Sequence, residues 1–176
     1  MVRYRRNPVP GGSYFFTVTL FDRKKDWLVT HVNLLQDALR QTQRMQPFEI
    51  DAMVVLPDHL HAVWTLPPDD ADFAQRWRAI KSRFSRALSK SGVPVRQSAD
   101  GAYDIWQPRY WEHTIRDERD YAHHVDYIHY NPVKHGHVTR VADWPHSSFH
   151  RYVRAGRLPV DWGGVPIEDK PQRYGE

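Results

Sequence analysis

Two β-rich runs separated by one short turn do most to limit what this chain can become. Residues 48–55 and 59–66 are rich in β-branched and aromatic side chains, and only Leu56-Pro57-Asp58 lies between them. They read as two strands of a hairpin. Within the second run, side chains alternate between faces, so His59 and His61 share one face and Leu60, Ala62 and Trp64 the other. The apolar set is expected to pack on helices. The two imidazoles are expected to look out from an open face of the sheet.

The rest of the chain supplies partners for that hairpin. Residues 14–20 read as a further strand. Thr30 is a candidate cap for a helix reaching about residue 45, with Val32, Leu35 and Leu39 on one side. After Pro67-Pro68-Asp69-Asp70, a helix is expected over 72–89, where Phe73, Trp77, Ile80, Phe84 and Leu88 recur at spacings of three and four. Its other faces carry Arg76, Arg78, Lys81, Arg83, Arg86 and Lys90. Residues 91–104 read as a polar loop, and 105–106 with 110–115 as further strand interrupted at Pro108. Asp117 is a plausible N-cap for a helix to residue 130 or 131, where Pro132 should end or kink it. The order β-α-β-β-α-β-α gives an α+β fold, with a mostly antiparallel sheet and helices on one face. A main domain is expected over 1–145. An extension over 146–176 should hold a short helix near Phe149 and a weakly structured tail.

Composition narrows the chemistry. The 176 residues suit one domain with a tail. There is no cysteine, which removes disulfides, thiolate catalysis and thiolate zinc sites. No apolar run reaches transmembrane length and the N-terminal residues lack a signal-peptide segment, so a soluble cytoplasmic protein is expected. A net charge of +4 permits a nucleic-acid partner without requiring one. Seven Trp and nine Tyr offer stacking platforms for unpaired bases, although most should fill the core.

The residues that carry chemistry are His59 and His61 with His123, Tyr127 and Asn131. Imidazole is a common metal ligand, and two on one strand face need a third ligand from elsewhere. His135-Gly136-His137 and the pair His146 and His150 offer weaker alternatives. On a helix, His123, Tyr127 and Asn131 form a ladder at spacings of four. A phenol, with a pKa near ~10, becomes a nucleophile when a base, a metal or a cationic neighbour assists it. A metal on His59, His61 and Asn131 would polarise a phosphate beside Tyr127. Mg²⁺ or Mn²⁺ suits such a mixed N/O site.

The segment Val54-Val55-Leu56-Pro57-Asp58-His59-Leu60-His61-Ala62-Val63-Trp64 resembles the His-hydrophobic-His segment of single-tyrosine HUH transposases. Trp106-Gln107-Pro108-Arg109-Tyr110-Trp111-Glu112-His113 and the run from His123 through Asn131-Pro132-Val133-Lys134-His135-Gly136 resemble the REP-associated tyrosine transposases in particular. The resemblance covers residues 4–162. It implies a ferredoxin-like HUH endonuclease core and metal-dependent cutting and rejoining of single-stranded DNA at hairpins of repetitive extragenic palindromic (REP) elements. Tyr127 would carry a 5′-phosphotyrosine intermediate, with His59, His61 and Asn131 on the metal. Insertion-sequence relatives usually place a glutamine where this chain has Asn131. Those relatives dimerise, whereas the REP-associated branch implies a monomer. Hairpin DNA would need phosphate clamps and base contacts, for which Arg5, Arg6, Arg76, Lys81, Arg83, Trp106, Arg109 and Lys134 are the candidates. Two other readings compete: a hairpin-binding protein or repressor without catalysis, and a histidine phosphoesterase acting on small molecules.

Overall fold

The computed structural model describes residues 8–163 and 174–175. Arg5 and Arg6 lie outside the described residues. Four strands, β1 (Ser13–Thr19), β2 (Glu49–Val55), β3 (His59–Thr65) and β4 (Trp111–Thr114), form one sheet in the order β2-β3-β1-β4, every neighbour antiparallel. Five α-helices are described: α1 (Trp27–Thr30), α2 (Val32–Met45), α3 (Phe73–Lys90), α4 (Glu118–Lys134) and α5 (Phe149–Arg154). The hairpin forms as expected, with Val55 opposite Leu60. Thr30 closes the single turn α1, and α2 starts after His31.

The α+β class and the antiparallel sheet agree with the sequence pattern, but the second face is not open. Tyr14, Phe16, Val18, Leu60, Ala62 and Trp64 face α2 and α3. Phe15, Ala52, Val54 and Val63 form an apolar patch on the opposite face, and Val125 and Ile128 of α4 cover it. The reason lies in the strand composition. β1 and β3 are apolar on both faces, as strands buried on two sides are, and an uncovered Phe15 or Val63 would be costly.

Local signals place the helix that matters most. The Asp117 carboxylate accepts the Asp120 N–H at 2.8 Å, capping α4 at its third residue. Pro132 does not end the helix, which runs on to Lys134. Proline removes one N–H close to the C-terminus, and the chain closes there with a Schellman pair: His137 N–H to Pro132 O at 2.9 Å and Gly136 N–H to Val133 O at 2.9 Å. Gly136 takes the left-handed conformation this requires (φ 71°). His135 is thereby fixed at the helix end.

The segment after α4 seals the sheet edge. Ser148 N–H donates to Met53 O at 2.8 Å, Met53 N–H donates to Ser148 Oγ at 2.9 Å, and Trp144 Nε1 donates to Val55 O at 3.0 Å. These bonds occupy backbone groups that an edge strand would otherwise expose. Among the described residues, no helix is long and apolar enough to cross a membrane.

Candidate active site

The centre of β3 and the C-terminal half of α4 meet in a buried polar cluster. His59, His61, Tyr127 and Asn131 are each at most 2% exposed. The His59 and His61 rings stand 5.0 Å apart, nearly perpendicular. The His61 ring lies 5.3 Å from Tyr127, and the His59 ring 5.2 Å from His135. Tyr127, Asn131 and His135 follow one another at spacings of four along a single helix row. Asn131 therefore sits between the two contacts, facing the histidine pair. The structure brings together all four residues singled out for catalysis and metal.

Each imidazole is held from behind. Asp58 Oδ1 lies 2.7 Å from His59 Nδ1, and Arg23 Nε donates to Asp58 Oδ2 at 2.7 Å. Burial alone would raise the Asp58 pKa, but the bonds from His59 and Arg23 hold it well below the usual carboxylate range. His59 Nε2 is then turned into the cluster, buried and without a hydrogen-bond partner among the described residues. Thr17 Oγ1 lies 2.8 Å from His61 Nδ1. Burial first, then the neighbouring His59, pushes the His61 pKa well down, which keeps it neutral. An imidazole oriented through one ring nitrogen, with the other turned inward, is what a metal ligand needs. With the Asn131 oxygen, this donor set fits a divalent cation that accepts mixed N/O ligation.

Lys134, a candidate phosphate clamp by sequence, has a second position in the structure. Its Nζ donates to the Tyr127 hydroxyl at 3.0 Å and lies 4.9 Å from the ring centroid. Burial lowers the Lys134 pKa. His135, assigned by sequence to a weaker pair with His137, is the third imidazole of the cluster. Its pKa falls to about 4 through burial and then the neighbouring His59. Neither role shows in one-dimensional spacing, because both depend on where the helix end meets β3.

Tyr174 was missed altogether. Its ring stacks on Tyr127 at 3.7 Å and 13°, and its hydroxyl lies 2.5 Å from His123 Nε2. Its backbone carbonyl accepts from Thr17 Oγ1. A residue 47 positions downstream carries no periodic signal that would predict this. His123, half-buried, faces Tyr174, which leaves Tyr127 and Asn131 as the members of the expected ladder that enter the cluster.

Several expected DNA contacts are engaged elsewhere. Arg76 is 3% exposed and donates to Asp70 Oδ2 at 2.6 Å, Pro47 O at 2.8 Å and Asp72 O at 2.9 Å, tying α3 to the turn before β2. It is a structural clamp whose buried guanidinium is committed to these partners, contrary to the phosphate contact expected from the sequence. Arg83 bonds Thr42 Oγ1 at 3.1 Å, joining α3 to α2. Lys81 donates to Gln107 O at 2.9 Å beside the Trp106 and Tyr110 rings. Trp106 is buried against Phe84, with ring centroids 5.3 Å apart. Arg109 is exposed. Arg76, Lys81 and Arg83 ride on α3, across the sheet from α4.

A second group of donors lies at the start of α4. Atoms of His113, Asp120 and His124 fall within 4.8 Å of one another. Asp120 Oδ2 lies 2.8 Å from His113 Nε2 and accepts from Arg116 Nε at 3.2 Å. Burial would raise the Asp120 pKa, but these bonds bring it down to about 2. The group pins β4 to α4.

An antiparallel sheet that carries a histidine pair against a helical tyrosine and asparagine defines a single-tyrosine transposase. The family profile of IS200-like transposases matches residues 13–131. A REP-associated tyrosine transposase from Escherichia coli (strain K12) is 50% identical over 164 residues, covering 93% of this chain and 92% of the relative. A second REP-associated relative, from Haemophilus influenzae, is 47% identical, covering 94% of this chain and 96% of its own. A solved structure of a REP-associated tyrosine transposase bound to a REP hairpin superposes with a TM-score of 0.87 at 48% identity, covering all of this chain and 98% of that one. The chain belongs to the REP-associated tyrosine transposases of the IS200-like family.

Proposed function

We propose that this transposase binds single-stranded DNA bearing REP hairpins, cuts it through Tyr127 and rejoins strands from the covalent intermediate. The observation that carries the reading is the convergence of a buried phenol, bonded to Lys134 at the exposed helix end, with two buried, oriented imidazoles and Asn131. Tyr127 gives its proton to solvent and its oxygen attacks phosphorus. The P–O3′ bond breaks, and the departing 3′-oxygen takes up a proton. The result is a 5′-phosphotyrosine and a free 3′-hydroxyl, and the reverse reaction rejoins a strand. Lys134 donates a hydrogen bond to the attacking oxygen, and to the same oxygen as it leaves during rejoining. His59, His61 and Asn131 would hold Mg²⁺ or Mn²⁺, which when bound supplies Lewis-acid stabilisation of phosphate charge. Asp58 and Thr17 orient the two imidazoles. Two rigid elements, β3 and α4, fix nucleophile and ligands relative to each other.

The test uses a labelled single-stranded REP hairpin oligonucleotide with Mn²⁺ or Mg²⁺. A slow, protease-sensitive band on a denaturing gel, labelled on the strand 3′ of the cut, is the expected adduct. In Tyr127→Phe the adduct should vanish while hairpin binding persists. Cutting that survives this substitution would remove Tyr127 as nucleophile. Cutting with undiminished metal dependence in His59→Ala, His61→Ala would remove the metal assignment.

A further inference from the structure

We infer that Phe21, with the basic turn behind it, is a stacking subsite for an unpaired nucleobase at the mouth of the active site. The inference rests on the proposed DNA chemistry and adds a contact that guides the strand to it. Along β1, Phe15 and Thr17 face α4 and the site, Thr17 holding His61. Thr19 is opposite His59, so it stands at the end of β3 where the metal pair begins. Residue 21 lies two positions further on, just beyond the end of the strand and of that row. The chain bends at Phe21 but remains paired there: Leu20 N–H donates to Asp58 O at 2.8 Å and Phe21 N–H to Ile105 O at 2.9 Å.

The side chain itself is exposed. Phe21 is 63% accessible, while the other aromatic rings among the described residues are buried or half-buried. A single exposed phenylalanine is ordinary on a protein surface. Its neighbours make this one different. Residues 21–26 are all exposed and read Phe-Asp-Arg-Lys-Lys-Asp. Arg23 reaches back to Asp58, which holds the ligand His59, so the turn is bonded directly to the metal-binding side of the site. Lys24 is braced by its backbone N–H to Asp22 Oδ1 at 3.0 Å, and Lys25 lies 5.3 Å over the Trp27 ring. An aromatic face with adjacent ammonium groups is the pairing that binds single strands: the ring takes a base and the cations follow the phosphates.

The occupant is therefore an unpaired nucleotide flanking the scissile phosphate, not the duplex stem. The experiment uses the full chain in a Tyr127→Phe background, so that binding is read without cutting. Two hairpins are compared, one with a single-stranded flank carrying 2-aminopurine and one blunt. Phe21→Ala should weaken binding of the flanked hairpin by roughly 5- to 150-fold, the range expected for loss of one base–aromatic stack. Blunt-hairpin affinity should stay unchanged, and Phe21→Trp should keep the flanked affinity. The 2-aminopurine fluorescence should be quenched on binding and recover in Phe21→Ala. Equal loss on both hairpins, or no loss on either, overturns the subsite. The adduct assay with Tyr127 intact is independent. An adduct formed with no Phe21 effect defeats this inference alone, and a Phe21 effect without any adduct defeats the catalytic reading alone.

Discussion

The two faces of the sheet are built from the same strands and do opposite work. Under α2 and α3, the contacts are mainly hydrocarbon and aromatic: Phe16, Leu60, Ala62 and Trp64 meet Phe73, Trp77 and Ile80, and the Trp64 and Trp77 rings stack at 4.1 Å and 17°. Under α4, the alternate residues Thr17, Thr19, His59 and His61 are equally buried and meet Tyr127 and Asn131. Burying a polar group costs about 1–3 kcal/mol when it is left unbonded. The first face therefore supplies stability, and the second uses a rigid, buried setting to hold reactive groups in place. A two-residue period lets β1 and β3 serve both ends at once.

The sharpest way to break this comparison is to delete one large side chain from each face. Trp64→Ala should cost about 3–5 kcal/mol of stability in urea denaturation, while the protein that remains folded cuts at the normal rate. His61→Ala should do the reverse: metal affinity and cutting are lost, with a much smaller stability change. If the two variants are equally destabilised, the division between the faces does not hold.

Acid should find the α4 face first. Burial, the leading cause in each case, lowers the pKa of His124 and of His129 to about 4. The unfolded chain takes up these protons near ~6.5, so it binds more protons than the native state between about 4 and 6.5. Stability is fully present above that window and falls as pH drops through it. Each histidine should account for about 2 kcal/mol lost between pH 7 and pH 5, read as a shift in denaturation midpoint. His129→Gln should remove its share of the slope. A stability that is flat over this range would show that these imidazoles are not buried as described.

A smaller effect sharpens the view of how the site is held. Asp58→Asn keeps the shape beside His59 but removes the charge that orients its ring. Mn²⁺ affinity, measured by calorimetry, should fall by about 10- to 100-fold. An unchanged affinity would mean that backbone position alone orients His59.

What could be read from the sequence follows from how local each signal is. The His59/His61 alternation, the Phe73-to-Leu88 stripe and the Asp117 cap are short-range patterns, and each reappears in the structure. The covered second face does not follow from the histidine pair; it follows from Phe15, Ala52, Val54 and Val63, strand residues far apart in the chain whose shared apolar row calls for a helix. Pro132 misleads because its usual effect is on a helix interior, and here the Schellman closure lies only a few residues beyond it. Arg76 looked like a surface cation, yet its partners are backbone carbonyls at Gln46 and Pro47 that no spacing reveals. Lys134 on Tyr127, His135 beside His59 and Tyr174 over the nucleophile all arise from tertiary placement.

The last comparison is between Tyr127 and the ring that lies on it. Tyr174 covers one face of the nucleophile, and burial followed by the nearby Asp120 charge raises its pKa to about 12, so it stacks as a neutral phenol. Gly175 makes the approach feasible: its φ is +74°, and a Cβ there would stand 2.2 Å from Trp111 Cβ. DNA reaching Tyr127 from that side must displace the ring. A stacked aromatic pair is worth about 0.5–1.5 kcal/mol beyond the area it buries. Tyr174→Ala should therefore raise the rate of adduct formation by roughly 2- to 12-fold at subsaturating DNA, with little change in the extent reached. Gly175→Ala should act in the same direction, since the added methyl cannot fit against Trp111. A rate that falls in both variants would instead make Tyr174 part of the surface that receives DNA, and the two rings would then be partners in binding rather than competitors for the same face.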